Sequence, residues 1–127
     1  MGATVLYIED NPDNMTLVKR AVEAIGIIFK GAPNGSEGLK QAEELLPDVI
    51  LLDINLPDID GYEVARRLRK SNNEHLRYVP IIALTAKALR GDADKALEAG
   101  CDVYMSKPVN IRELWARVES FVEISKV

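Results

Sequence analysis

Unbroken apolar runs alternate along this chain with stretches in which apolar residues recur every three or four positions. The first run, Val5-Leu6-Tyr7-Ile8, reads as a strand. Asn11-Pro12 follows, a capping residue and a proline suited to the first helical turn. From Asp13 onward Leu17, Val18, Ala21, Val22 and Ile25 fall at helical spacing, and Gly26 is a stop. Ile27 to Lys30 reads as a short strand, and Gly31-Ala32-Pro33-Asn34-Gly35 as a turn. Ser36 is expected to cap a second helix that runs to Leu46 and ends at Pro47. Asp48 to Ile54 is nearly all apolar until Asp53, the pattern of a strand covered on both faces. Asn55 to Gly61 reads as a loop, with Asp60 capping a third helix to about Ser71. Asn72-Asn73-Glu74-His75 reads as a solvated loop, and Val79 to Leu84 as another buried strand. A fourth helix is predicted from about Gly91 to Ala99, stopped by Gly100, before a last strand from Cys101 to Met105. Asn110 caps a final helix whose stripe is Ile111, Leu114, Trp115, Val118, Phe121 and Val122.

Five strand–helix units with no linker or repeat predict one domain over residues 1–127, with a parallel sheet and helices on both faces. The second strand ends in Gly31-Ala32-Pro33, which carries no reactive group, so it belongs at an edge. That favours the strand order 2-1-3-4-5 of a doubly wound, flavodoxin-like α/β fold. Composition agrees. The chain is 47% hydrophobic and 28% charged over 127 residues, and its net charge of -4 argues against direct nucleic-acid binding. Cys101 is the single cysteine, so no internal disulfide can form. No apolar run approaches a membrane span and no signal-peptide pattern opens the chain, so a cytoplasmic location is expected.

Four of the strands run into polar residues: Glu9-Asp10, Asp53, Thr85 and Lys107-Pro108. In a parallel sheet these carboxyl ends share one edge. Carboxylates about 4 Å apart repel by roughly 4 kcal/mol at an effective dielectric near 20, so the cluster needs cations. Lys107 supplies one charge, and Mg²⁺, which favours oxygen ligands and keeps waters, supplies two. An aspartate at position 53 either caps a turn or attacks phosphorus to form an acylphosphate. Lys107 and the metal would then neutralise phosphoryl oxygens, and the Thr85 hydroxyl could donate to one. Taken alone, Glu9 and Asp10 also suit a helix start, and Thr85 suits a strand end. Tyr104 alone reads as a strand aromatic, His75 as a loop residue, Cys101 as a small buried side chain and Trp115 as part of the core stripe.

As a set, Glu9-Asp10, Asp53, Thr85-Ala86 and Lys107-Pro108, with Ile54-Asn55-Leu56-Pro57, Asp60-Gly61 and Ala99-Gly100-Cys101-Asp102, resemble the receiver (CheY-like) domain of two-component response regulators. The resemblance covers Val5 to about Val122. It implies that Asp53 accepts phosphate from a partner's phosphohistidine, on a sensor histidine kinase or a histidine phosphotransfer protein. It implies Mg²⁺, with Mn²⁺ able to substitute, bound by Asp10, Asp53 and the backbone carbonyl of Asn55, with Glu9 acting through water. Thr85 and Lys107 would contact the phosphoryl group, and Tyr104 would change rotamer as Thr85 moves. The Lys107-Pro108 bond would be cis. The fourth helix, fifth strand and last helix would form the signalling face toward an unknown target. Such a domain catalyses only its own phosphorylation and dephosphorylation, as a monomer or a phosphorylation-dependent dimer. Asn55 and Lys87 would tune phosphate lifetime. The chain ends soon after the last helix, which fits a stand-alone regulator or a receiver of a larger regulator or hybrid kinase. The segment from Ala86 to Asp92 leans toward single-domain and hybrid-kinase receivers.

Two rivals share parts of this pattern. A haloacid-dehalogenase-type phosphatase also uses a strand-end aspartate, Mg²⁺ and a lysine, but needs an acid two residues on, where this chain has Asn55. A flavodoxin-type flavin module shares the strand order, but needs a hydroxyl- and glycine-rich loop where this chain has Glu9-Asp10-Asn11-Pro12-Asp13.

Overall fold

A computed structural model describes residues 2–86 and 91–122. Its elements are β1 (Thr4–Ile8), α1 (Pro12–Ala24), β2 (Ile28–Ala32), α2 (Gly35–Leu45), β3 (Val49–Asp53), α3 (Gly61–Arg69), α4 (Glu74–Tyr78), β4 (Ile81–Thr85), α5 (Asp92–Ala99), β5 (Val103–Ser106) and α6 (Ile111–Phe121). The five strands are parallel in the order β2-β1-β3-β4-β5. That is the order expected from the inert end of β2.

Alternation along each strand sorts the core into two layers. Val5, Tyr7, Val49, Leu51, Ile82, Leu84 and Met105 pack with Val18 and Val22 of α1 and Leu114 and Val118 of α6. Leu6, Ile8, Ile50, Leu52, Ile81 and Ala83 pack with Ala42, Val64, Leu68, Leu76 and Ala96 from α2 to α5. All of β3 and β4 is buried, as their apolar sequences require. Two glycines allow helices close to the sheet. A methyl at Gly38 would meet Ile8 Cδ1 at 2.5 Å, and one at Gly61 would meet the Asp53 carbonyl oxygen at 2.6 Å.

Side-chain caps start every described helix except α5, which begins at Gly91 without one. Asn11, Asp60 and Asn110 accept from the amides of Asn14, Glu63 and Glu113, as their positions predict. At α2 the expectation is corrected. Asn34, not Ser36, is the cap, and Asp58 accepts from the amides of Gly35 and Ser36 at 2.8 and 2.9 Å. The carboxylate of a distant loop thus adds to the local Asn34 cap two bonds that no local pattern encodes.

The stretch read as a loop before β4 is corrected too. Asn73 caps the short helix α4, whose Leu76 is fully buried. Arg69 holds this region together. Its guanidinium donates to the carbonyls of Leu76, Arg77, Val79 and Gly100 and to Asp102 Oδ2. Leu17, counted into the stripe of α1, is instead 45% exposed. Lys107-Pro108 is cis. Lys87 lies outside the described residues, and no helix among them is long and apolar enough to cross a membrane.

Candidate functional site

β1, β3 and β4 keep their side chains buried almost throughout, so their polar residues gather at the carboxyl edge. The Glu9 amide extends the β1 ladder to the Ala32 carbonyl at 2.9 Å, and Ile54 does the same from β3 to Leu84 at 3.0 Å. Glu9, Asp10, Asp53, Asn55 and Lys107 line one open cleft of about 420 Å³, with Asn11, Pro12, Asn14 and Ala86. Glu9 and Asp53 are each only 2% exposed, while Asp10 faces solvent.

Lys107 holds the centre. Its Nζ lies 2.7 Å from Glu9 Oε1 and 3.1 Å from Asp53 Oδ1. The Asn55 amide approaches the same Asp53 oxygen at 3.3 Å. Glu9 is held from every side: Oε1 accepts from the Tyr7 hydroxyl at 2.7 Å and from Asn14 Nδ2 at 3.5 Å, and Oε2 from the Asn11 amide at 3.1 Å. Tyr7, Asn11 and Asn14 did not emerge as site residues from the sequence. The signal for Tyr7 was its spacing, because residues two apart on a strand share a face.

These contacts divide the two buried carboxyls. Burial works to raise Glu9, but bonds from Lys107, Tyr7 and the Asn11 amide outweigh it and keep the group below its usual range. Burial and the adjacent Glu9 charge push Asp53 up to about 6 against the pull of Lys107. Burial works against the Lys107 charge too, but Glu9 and Asp53 hold its ammonium above the ordinary value. The Tyr7 hydroxyl is driven far up by burial and by its bond to Glu9.

The donor set fits a hard divalent cation. Glu9, Asp10 and Asp53 each offer an oxygen, and these oxygens lie within 4.8 Å of one another. With one ammonium among three carboxylates the cluster keeps two uncompensated negative charges, which a divalent ion matches.

The remaining expected site residues sit on the other side of the sheet. Strand alternation places Thr85 and Tyr104 with the α3–α5 layer, and Tyr104 packs against that core. Thr85 is 3% exposed, and its carbonyl accepts from the Lys107 amide at 2.7 Å. Thr85, at the end of β4, is joined to the chemical cluster through the Lys107 backbone.

Comparison with known proteins matches this arrangement. Residues 5–119 fit the family described as the response regulator receiver domain. The chain is 38% identical, over 96% of its own length and 98% of the relative's, to the polar-differentiation response regulator DivK of Brucella anthropi. Among solved structures, it superimposes on the receiver domain of the sensor histidine kinase PA1611 of Pseudomonas aeruginosa, which has a magnesium ion coordinated in its active-site cleft. There the TM-score is 0.87 and the identity 36%, over 98% of this chain and 100% of that one. It also superimposes on the receiver domain of Ssk1 of Saccharomyces cerevisiae, solved with the phosphotransfer protein Ypd1. The TM-score is 0.85 and the identity 31%, over 94% of this chain and 88% of that one. The chain belongs to the response regulator receiver family.

Proposed function

We propose that this chain is a single receiver domain whose Asp53 accepts a phosphoryl group from a phosphohistidine, on a histidine kinase or a histidine phosphotransfer protein. The observation that carries this reading is the Lys107 ammonium poised between Glu9 and Asp53 at 2.7 and 3.1 Å. A lysine so placed neutralises charge at the one carboxylate that burial and repulsion leave poorly stabilised. Lys107 and the Asn55 amide both address Oδ1, which leaves Oδ2 to form the bond to phosphorus. As that bond forms, the phosphorus–nitrogen bond of the donor breaks and its electron pair returns to the imidazole nitrogen.

Mg²⁺ is the metal we assign, held by Asp10, Asp53 and the Asn55 carbonyl with Glu9 acting through water. When bound it would screen the phosphoryl oxygens. The magnesium seen in the PA1611 receiver supports the assignment, and the Ssk1–Ypd1 complex supports a phosphotransfer partner. Lys107 then follows the new charge on Asp53. The hydrogen bond from its backbone N–H to the Thr85 carbonyl carries that shift to the opposite layer, where Thr85 and Tyr104 re-pack the face formed by α5, β5 and α6. The phosphatase reading is not favoured, because Asn55 cannot protonate a leaving group.

With Mg²⁺ and a small acyl phosphate, the intact mass should rise by one phosphoryl group. Asp53→Asn should abolish the increase. Undiminished labelling of that variant would show that another residue is the acceptor.

A further inference from the structure

One buried polar group at the cleft has no part in the chemistry just described. The Tyr7 side chain is fully buried in β1, and its ring meets Phe29 edge-on with centroids 6.4 Å apart. Its hydroxyl reaches Glu9 Oε1 at 2.7 Å. The same oxygen accepts from Lys107 Nζ, also at 2.7 Å, and Asn14 stands at the limit of bonding, 3.5 Å away. Glu9 Oε1 therefore has two strong donors, and they differ in kind. Lys107 enters on a flexible stem and is shared with Asp53. Tyr7 is locked within the sheet and points at Glu9 alone.

Phosphorylation gives Asp53 added negative charge and draws the lysine toward it. Glu9, with 1% of its side chain exposed, then loses its ammonium partner. A buried carboxylate stripped of its partner is among the costlier defects in a protein, unless another donor remains. On Oε1 the tyrosine is that donor, beside the Asn11 amide on Oε2. We propose that Tyr7 is a positioning residue of the phosphoacceptor site, whose hydroxyl keeps the Glu9 carboxylate satisfied and in place while Lys107 moves to the phosphoryl group. This role rests on the reading of Asp53 as acceptor. In a chain without the hydroxyl, Lys107 is the sole strong donor to Oε1 among the described residues. It is then held back from Asp53, and the orientation of Glu9 toward the metal's water is loosened.

The test is a four-member cycle of wild type, Tyr7→Phe, Glu9→Gln and the double variant, read in two ways. Labelling by acetyl phosphate is followed by intact mass at saturating Mg²⁺. Unfolding by urea is followed in chelator, where neither metal nor phosphodonor takes part. A hydrogen bond to a charged group sets the scale, so Tyr7→Phe should slow labelling of the otherwise wild-type chain at least about tenfold. In the Glu9→Gln background, with no charge to hold, the same change should slow it by less than about threefold. In chelator Tyr7→Phe should lower the urea midpoint clearly beside Glu9 and little beside Gln at that position. The Glu9→Gln pair keeps the comparison readable should Tyr7→Phe alone lose its cooperative transition. Equal effects in both backgrounds would assign the hydroxyl to core packing and overturn the proposal, as would labelling of Tyr7→Phe at the wild-type rate. A wild type that takes up no phosphoryl group would overturn the acceptor reading itself, and this role of Tyr7 with it.

Discussion

Replacing Lys107 by methionine keeps most of the packing of its stem and removes one charge from a nearly dry cluster. Its side chain is 15% exposed and those of Glu9 and Asp53 are 1% and 3%, so solvent screens little of the interaction. At 2.7 and 3.1 Å the ammonium attracts the two carboxylates by about 6 and about 5 kcal/mol at an effective dielectric near 20. Facing oxygens no more than 4.8 Å apart repel by about 3.5 kcal/mol or more on the same scale. Losing the cation does not cost that whole sum. The ammonium no longer has to be desolvated, and Asp53, already raised to about 6 beside the lysine, takes up a proton near neutral pH. The net loss is therefore about 3 kcal/mol, the low end for breaking a buried pair. For a chain of this length that is a fall in melting temperature of about 10 °C. The pH window follows from the shifts. Glu9 is depressed, so its share of the stabilisation is present above the ordinary carboxylate range and fades as pH falls through its folded value. Lys107 is raised, so its share is present below the ordinary lysine value and fades as pH climbs through the folded one. Mg²⁺ should restore the variant more than it raises the wild type, because in the wild type the ion competes with the ammonium for the same oxygens. At a hundred times the dissociation constant the ion returns about 2.7 kcal/mol. Thermal melts by circular dichroism at pH 7.5, in chelator and across a Mg²⁺ titration, measure both quantities. A variant that melts with the wild type in chelator, or gains no more from Mg²⁺, would refute the view that Lys107 is the internal counter-ion of this cleft.

Other positions carry equally specific expectations. Gly61→Ala sets a methyl against the Asp53 carbonyl oxygen and the Ile54 Cα, both at 2.6 Å and both backbone, so neither can rotate away. It should cost about 2 kcal/mol in urea unfolding and weaken calorimetric Mg²⁺ binding by shifting the acceptor strand; normal binding would show that the strand does not move. Arg69→Met removes the bonds that tie α3 to α4 and to the end of α5 and leaves part-buried carbonyls unpaired, at about 3 kcal/mol. A wild-type urea midpoint would rule out Arg69 as the tie. Burial raises the Cys101 thiol to about 12 from the usual 9.0, which leaves about a thousandfold less thiolate than in the unfolded chain at pH 8. Its stabilising share is intact below the unfolded value and lost as pH rises toward 12. A disulfide reagent should therefore react slowly with the folded protein and rapidly in denaturant; equal rates would mean that the thiol is exposed.

Much of this molecule is legible in its sequence, because its elements are set by short-range physics. The strands are apolar runs too short for helices, and Asn11, Asp60 and Asn110 mark helix starts by chemistry that acts over three residues. The position of β2 at the edge was legible from what its end lacks. The gathering of Glu9, Asp10, Asp53 and Lys107 follows from a parallel sheet, since every polar terminus then falls on one side. The helix α4 was hidden because one buried leucine, Leu76, in a polar stretch carries no periodicity, and its carbonyls are satisfied by Arg69 from another helix.

What the tertiary structure alone decided is who faces whom. Asp58, from a loop more than twenty residues away, takes the Gly35 and Ser36 amides that the local Asn34 cap leaves free. The pleat sends Glu9 and Lys107 to one layer and Thr85 and Tyr104 to the other. Tyr7, an unremarked strand aromatic in the linear chain, becomes a donor to the carboxylate at the centre of the site. Local preference acts along the backbone and can be read there. Whether a buried charge is tolerated depends on donors brought in by other strands, and only the folded chain supplies those.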